Sequence, residues 1–155
     1  MNTPLLSICI RSYNQAAYIS EAIDSALMQK TDFPFEIIIG EDCSTDNTAN
    51  ILSDYISKFP DKIRIISGSK NVGGTLNLKR TIEASSAKYI ALCDGDDYWT
   101  DPYKLQKQVD FLENHSEYVV CFHNVMNIYE DKTTKPNPKK INCTQGCFQC
   151  NRNDR

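Results

Sequence analysis

No apolar run in the chain approaches the roughly 18 residues a membrane-spanning helix requires. The opening Met1-Asn2-Thr3-Pro4 lacks the basic flank and apolar stretch of a secretory signal. Both absences point to a cytoplasmic protein. Glycine and proline number only six each, and the composition is 41% hydrophobic, 24% charged and 10% aromatic, which excludes fibrous and wholly disordered architectures. Neither G-x-G-x-x-G nor G-x-x-x-x-G-K-[ST] occurs, so the dinucleotide and P-loop fingerprints are missing. An EF-hand loop also fails, because Tyr98 stands two residues after Asp96 and no glycine follows. The two histidines, His115 and His123, read as a helix-end and a strand-end residue.

A length of 155 residues gives one domain with room for one core. The seven cysteines are odd in number, no export signal accompanies them, and Cys9, Cys43 and Cys93 lie in or just after strand-like runs; reduced thiols are expected. Cys143, Cys147 and Cys150 are too few and too irregularly spaced, with no nearby histidine, to argue for zinc. The net charge of -3 divides unevenly, since residues 131–155 carry six basic and two acidic side chains. An acidic body offers no basic face for nucleic acid.

Periodicity gives the class. Leu6, Ile8 and Ile10 alternate as in a strand, and Ile19, Ala22, Ile23, Ala26 and Leu27 then recur with helical spacing. The pattern repeats with a strand over Phe35 to Ile39, helix-capping side chains at Ser44 to Asn47, and a helix marked by Ile51, Leu52, Tyr55, Ile56 and Phe59 that stops at Pro60. Next come a strand over Ile63 to Ile66, a turn at Asn71-Val72-Gly73-Gly74, a helix from about Leu76 to Ser85, and a strand over Tyr89 to Cys93. Leu105, Val109 and Leu112 mark another helix, and Tyr118 to Phe122 a further buried strand. Such alternation predicts an α/β protein: a mainly parallel open sheet with helices on both faces. It fills residues 1–130; residues 131–155 form a polar, basic, Cys-containing tail read as loop.

In open α/β sheets ligands bind at the carboxyl ends of the strands, and the polar clusters fall there. Three strands end in Arg11 to Asn14, Glu41-Asp42, and Asp94-Gly95-Asp96-Asp97. Three carboxylates within four residues repel one another unless something compensates. A hard cation such as Mg²⁺ or Mn²⁺ suits such oxygen ligands and leaves positions open for phosphates, so the cluster suggests a metal-diphosphate site.

Ser12-Tyr13-Asn14, Glu41-Asp42-Cys43-Ser44-Thr45-Asp46, and Asp94-Gly95-Asp96-Asp97 before Trp99 together resemble, in order and spacing, the family 2 glycosyltransferases over residues 4–125. The resemblance implies a Rossmann-like GT-A fold, a nucleotide-sugar donor (a UDP-sugar by default), a divalent cation, Mn²⁺ or Mg²⁺, and a saccharide or lipid-linked acceptor. It would make Tyr13, Glu41, Asp42, Asp94 and Asp97 donor-binding residues. Asp42 would meet the nucleobase, Tyr13 would lie against it, and Asp94 would contact the ribose or sugar. Asp96 would ligand the metal, and Asp97 would be a second ligand, direct or through water, or a group orienting the loop. Lys79 and Arg80 could reach the diphosphate, although exposed basic residues on a helix are more often simply solvated. Trp99 reads chiefly as a packing anchor.

The family commonly has glycine where Cys43 stands, and Thr75 to Arg80 match its pattern poorly. Its general base lies in an acceptor half that no residue here matches, so the chain reads as a donor-binding part, apparently truncated. The implied activity is metal-assisted sugar transfer with inversion, possible at the inner membrane face through peripheral association. Two alternatives stand beside it. One is a catalytically incomplete nucleotide-sugar-binding fragment; the other is a phosphoryl-transfer enzyme with an aspartate nucleophile from the Asp94-Gly95-Asp96 pair.

Overall fold

The computed structural model describes residues 3–128, 134–136 and 147–149. Two compact units divide the chain, Met1–Gln106 and Lys107–Arg155. In the first, β1 (Leu6–Ser12), α1 (Ile19–Leu27), β2 (Phe35–Glu41), α2 (Thr48–Lys58), β3 (Ile63–Ser67), α3 (Gly74–Glu83) and β4 (Tyr89–Asp94) alternate as the periodicity predicts. The four strands form a parallel sheet in the order β3-β2-β1-β4. Each crossover carries a helix, as parallel pairing demands.

The burial pattern follows from this order. The inner strands β1 and β2 are covered on both faces, so Ile8, Cys9, Ile10, Ile37, Ile38 and Ile39 are wholly buried; continuous apolar runs are what such strands need. Ile19, Ala22, Ile23 and Ala26 of α1 and Leu52 of α2 are buried as well. The edge strand β4 differs, with Ile90 41% and Leu92 51% exposed.

Helix α3 lies on the opposite face through a polar seam. Ser85 Oγ donates to Ser7 Oγ (2.7 Å), Cys9 Sγ contacts the Thr81 carbonyl, and Asn77 Nδ2 donates to the Gly40 carbonyl (2.7 Å). Asn77 and Thr81 are buried, and a methyl group on Gly40 would lie 2.0 Å from Thr81 Oγ1 and 2.6 Å from Asn77 Oδ1. Gly40 is therefore glycine because α3 rests directly on the β2 backbone.

Local details depart from the sequence reading. The side chains expected to cap α2 do so otherwise: Asn47, the N-cap, makes no capping bond and accepts instead from Asn50 Nδ2, while Asp46 Oδ1 accepts from Thr48 N–H (2.9 Å). A carboxylate there also favours the positive end of the helix dipole. α3 begins at Gly74, two residues before the expected start.

α4 (Lys104–Asn114) crosses the boundary between the units. Within the second unit, Phe111 stacks on His115 at 4.3 Å, and Tyr118 tilts against Phe111. β5 (Tyr118–Cys121) was expected to be buried, but Val119 is 56% and Val120 41% exposed. Its branched residues make a strand through pairing alone. Within 131–155, which the sequence presents as loop, β7 (Thr134–Pro136) pairs antiparallel with β6 (Met126–Ile128), and β8 (Cys147–Gln149) with β5. Three-residue strands are too short to leave a period. Cys9, Cys43, Cys93 and Cys121 are free thiols, as expected; Cys143 and Cys150 lie outside the described residues.

Two outcomes follow. Gly40→Ala is expected to cost about 3 kcal/mol, because neither Thr81 nor Asn77 can retreat; urea unfolding measures it. Burial pushes the Cys9 thiol to about 11 and Cys93 to about 12, so the folded chain keeps protons that an unfolded thiol releases near about 8.5. Stability is expected to fall from about pH 8.5 upward through the folded values, with a shallower fall in Cys93→Ala, read as melting temperature against pH.

Candidate functional site

The carboxyl ends of β1, β2 and β4 lie side by side, since the register sets Ser12 beside Glu41 and Arg11 beside Asp94. The chain leaves β1 toward β2 and returns by α3 to β4 on the other flank, and a reversal of this kind is where open α/β sheets bind ligands.

Two loops meet there and are tied together. Asn14, in a left-handed conformation at φ 52°, accepts on Oδ1 from the Thr45 N–H (2.7 Å), while its own N–H donates to Ser44 Oγ (3.1 Å). Gln15 N–H donates to Thr48 Oγ1 and Ala16 N–H to Asp46 Oδ2. Hydrogen bonds from Thr48 and from backbone N–H groups hold the Asp46 carboxyl below its usual range. Tyr13, carried between these anchors, is 45% exposed. Its ring is available to a ligand.

Glu41 and Asp42 turn inward. Glu41 is buried, and its two oxygens accept the N–H groups of Cys43 (3.0 Å) and Ser44 (2.6 Å). Expected among the donor-binding residues, it is here the hub of its own loop, for the backbone uses both oxygens. Asp42, 1% exposed, accepts from Val72 N–H (2.9 Å) and Gly73 N–H (2.8 Å) and pairs with Arg80 Nη2 (3.2 Å). Arg80 also donates to the Glu41 carbonyl and to Asn77 Oδ1. It is thus committed to the loops, while the exposed Lys79 faces Glu83 one turn on.

At the end of β4, Arg11 grips Asp94 with both arms of its fork, Nε to Oδ1 and Nη2 to Oδ2, the second at 2.7 Å. That contact, with Asp96 and Asp97 nearby, raises the already basic guanidinium further. Gly95 follows because nothing larger fits: a methyl group would lie 2.1 Å from Gln15 Oε1 and 3.0 Å from the Arg11 carbonyl. The Asp97 N–H closes a turn onto the Asp94 carbonyl (3.0 Å). Asp96 and Asp97 stand exposed, and Asp96 accepts no hydrogen bond from the described residues. Ser12 Oγ and Gln15 Oε1 are buried without a hydrogen-bond partner among the described residues, leaving unused polar capacity at the same rim. Trp99 is buried beneath Lys104, whose Nζ lies 4.0 Å from the ring centre; it serves as a packing anchor.

Whether a cation fits here depends on the donors. Among the described residues no three His, Cys, Asp or Glu side chains are grouped to hold a metal, and both oxygens of Asp94 are engaged by Arg11. A hard ion, however, is commonly held by one or two carboxylates with phosphate oxygens and water completing its shell. Exposed Asp96, beside Asp97, fits that requirement.

Sequence reasoning found the three strand ends but not the Arg11 to Asp94 pair, nor the Asn71-to-Gly73 turn seated on Asp42. A lone arginine in an apolar strand was the available signal. Its partner is 83 residues away and becomes visible only once β4 is known to lie beside β1.

The chain matches the family described as glycosyl transferase family 2 over residues 7–154, and it belongs to that family. It is 49% identical over 126 residues to an uncharacterized protein of Mycobacterium tuberculosis, covering 81% of this chain and 36% of that protein. It is 35% identical over 113 residues to the putative teichuronic acid biosynthesis glycosyltransferase TuaG of Bacillus subtilis, covering 73% of this chain and 44% of that one. Residues 1–349 of S. aureus TarS in complex with UDP-GlcNAc superpose with a TM-score of 0.63 at 28% identity, over 72% of this chain and 32% of that one. The mannosyltransferase PcManGT of Pyrobaculum calidifontis, in complex with GDP-Man and Mn²⁺, shares the fold at a TM-score of 0.67 and 21% identity, over 79% and 36%. The chain spans less than half the length of each of these relatives. Among the described residues no helix is long and apolar enough to cross a membrane.

Cys43 takes a left-handed conformation at φ 59°, which explains why glycine is common there. Cys43→Gly is expected to stabilise the fold by about 0.5–1 kcal/mol, the relief of that backbone exceeding the added freedom of the unfolded chain. A thermal melt would show the rise.

Proposed function

We propose that this chain forms the donor-nucleotide site of a sugar transferase that takes its sugar from a nucleotide diphosphate. The observation that carries the reading is the convergence of three strand ends on one rim, where Asp94 is neutralised by Arg11 while Asp96 is exposed. The UDP-GlcNAc bound to TarS supports a UDP-sugar donor. Tyr13 lies against the base. Asp42 reads the base by exchanging the N–H of Val72 or Gly73 for one from the ring, and Asp94 faces the ribose or donor sugar. Glu41 holds the loop that presents them.

Asp96, with Asp97 as a second ligand or as the group that orients the loop, holds Mn²⁺ or Mg²⁺; the Mn²⁺ in PcManGT supports the choice of ion. Such an ion supplies positive charge to a diphosphate leaving group. The acceptor is a saccharide or a lipid-linked sugar, consistent with the teichuronic acid named for TuaG, and its hydroxyl attacks the anomeric carbon with inversion. That proton needs a general base, which none of Tyr13, Asp42, Asp94 or Asp96 supplies. The setting is the cytoplasm, with peripheral association at the inner membrane face.

Calorimetry with UDP and Mn²⁺ tests the site. Binding is expected to need the cation and to weaken at least about tenfold in Asp96→Ala; binding that ignores the cation and that substitution would refute the assignment. Donor bound with neither transfer nor hydrolysis would favour a binding fragment.

A further inference from the structure

Tyr13 is held by its backbone and not by its ring. The side chain is 45% exposed, and among the described residues it has no stacking or hydrogen-bond partner. Its place is set by the residues that follow it. Asn14 is bonded to Ser44 and Thr45, and the next two amides both answer to one side chain, Asp46. Asp46 Oδ2 accepts the N–H of Ala16 (3.0 Å). Asp46 Oδ1 accepts the hydroxyl of Thr48, whose Oγ1, so oriented, accepts the N–H of Gln15 (2.9 Å).

A carboxylate suits this place and an amide does not. Oδ1 also accepts the Thr48 N–H (2.9 Å), so both oxygens are engaged and every contact brings a donor. An ionised carboxylate accepts on both sides, whereas an amide of the same shape accepts on one and donates on the other. Asparagine here would set two donors face to face, either at Ala16 or at Thr48, and an amide left without an acceptor is costly. Thr48 is wholly buried and has no water to turn to, so the contact that gives way is the one at Ala16, on the Tyr13 loop. We propose, resting on the nucleotide-site reading above, that Asp46 is a positioning residue for the base: it fixes the loop that presents Tyr13, acting through Gln15 and Ala16 and not through a contact of its own with the nucleotide. Different acids then set the two parts of the donor site, Asp46 the base and Asp96 the cation.

The test measures uridine, which has no phosphate and calls for no cation, by NMR titration, and UDP with Mn²⁺ by calorimetry. Tyr13→Ala is expected to weaken both about tenfold, the loss of one stacked base. Asp46→Asn is expected to weaken both by one common factor, about fivefold, because Asp96 is untouched. The double variant Tyr13→Ala/Asp46→Asn should bind no more weakly than Tyr13→Ala alone, which a general loss of structure does not produce. Wild-type affinity in Asp46→Asn, a loss confined to UDP with Mn²⁺, or a further loss on top of Tyr13→Ala overturns the proposal. Hydrogen exchange reads the loop without any nucleotide: the Gln15 and Ala16 amides are expected to exchange at least about tenfold faster in Asp46→Asn, and unchanged exchange overturns the proposal. If wild-type protein binds neither uridine nor UDP, the nucleotide reading fails, while exchange still decides whether Asp46 holds the loop. Should circular dichroism show Asp46→Asn unfolded, Thr48→Val, which removes the hydroxyl that reaches Gln15 and keeps the side chain's shape, is read the same way: weaker uridine binding that adds nothing to Tyr13→Ala supports the proposal, and unchanged binding overturns it.

Discussion

The closeness of α3 to the sheet sets the geometry of everything at the rim. Asn77 and Thr81 lie directly on the Gly40 backbone, and every polar group in this seam has a partner, without which burial would be costly. From there the contacts run outward. Asn77 steadies Arg80, Arg80 steadies Asp42, and Asp42 holds the turn that starts α3. Arg11 Nη1 lies close to the first turn of that helix, 3.4 Å from where a methyl group on Gly74 would sit. A helix standing an ångström further off would loosen the acidic loops together.

The loops add rigidity of another kind. Asn14 and Cys43 both adopt left-handed backbone, and Asn14 is bonded directly to Thr45 across the gap. Neither loop can take its shape alone at low cost, and each is held by what the other offers. Polar side chains at strand ends thus divide between two tasks. Glu41, Asp42 and Asp46 spend their oxygens on backbone N–H groups, while Tyr13 and Asp96 face outward.

Much of this could be read from the residues. Alternating apolar periods gave β1 through α4, because buried strands and amphipathic helices each impose their own repeat, and polar clusters fell after β1, β2 and β4, where such sheets place them. The inward turn of Glu41 could not be read, since an acid that braces a loop has the same letter as one that meets a ligand. Nor could the Arg11 to Asp94 pair, which depends on strand order and not on nearness in sequence. Val119 and Val120 misled for a related reason: branched side chains mark a strand but not whether anything covers it.

The sheet ends at β4, whose outer backbone has no partner strand among the described residues and whose Ile90 and Leu92 face solvent. An open border of this kind is a template for pairing with any extended chain that arrives. Self-association of the purified chain, where it occurs, is therefore expected to begin at this border, one extended segment laid along β4.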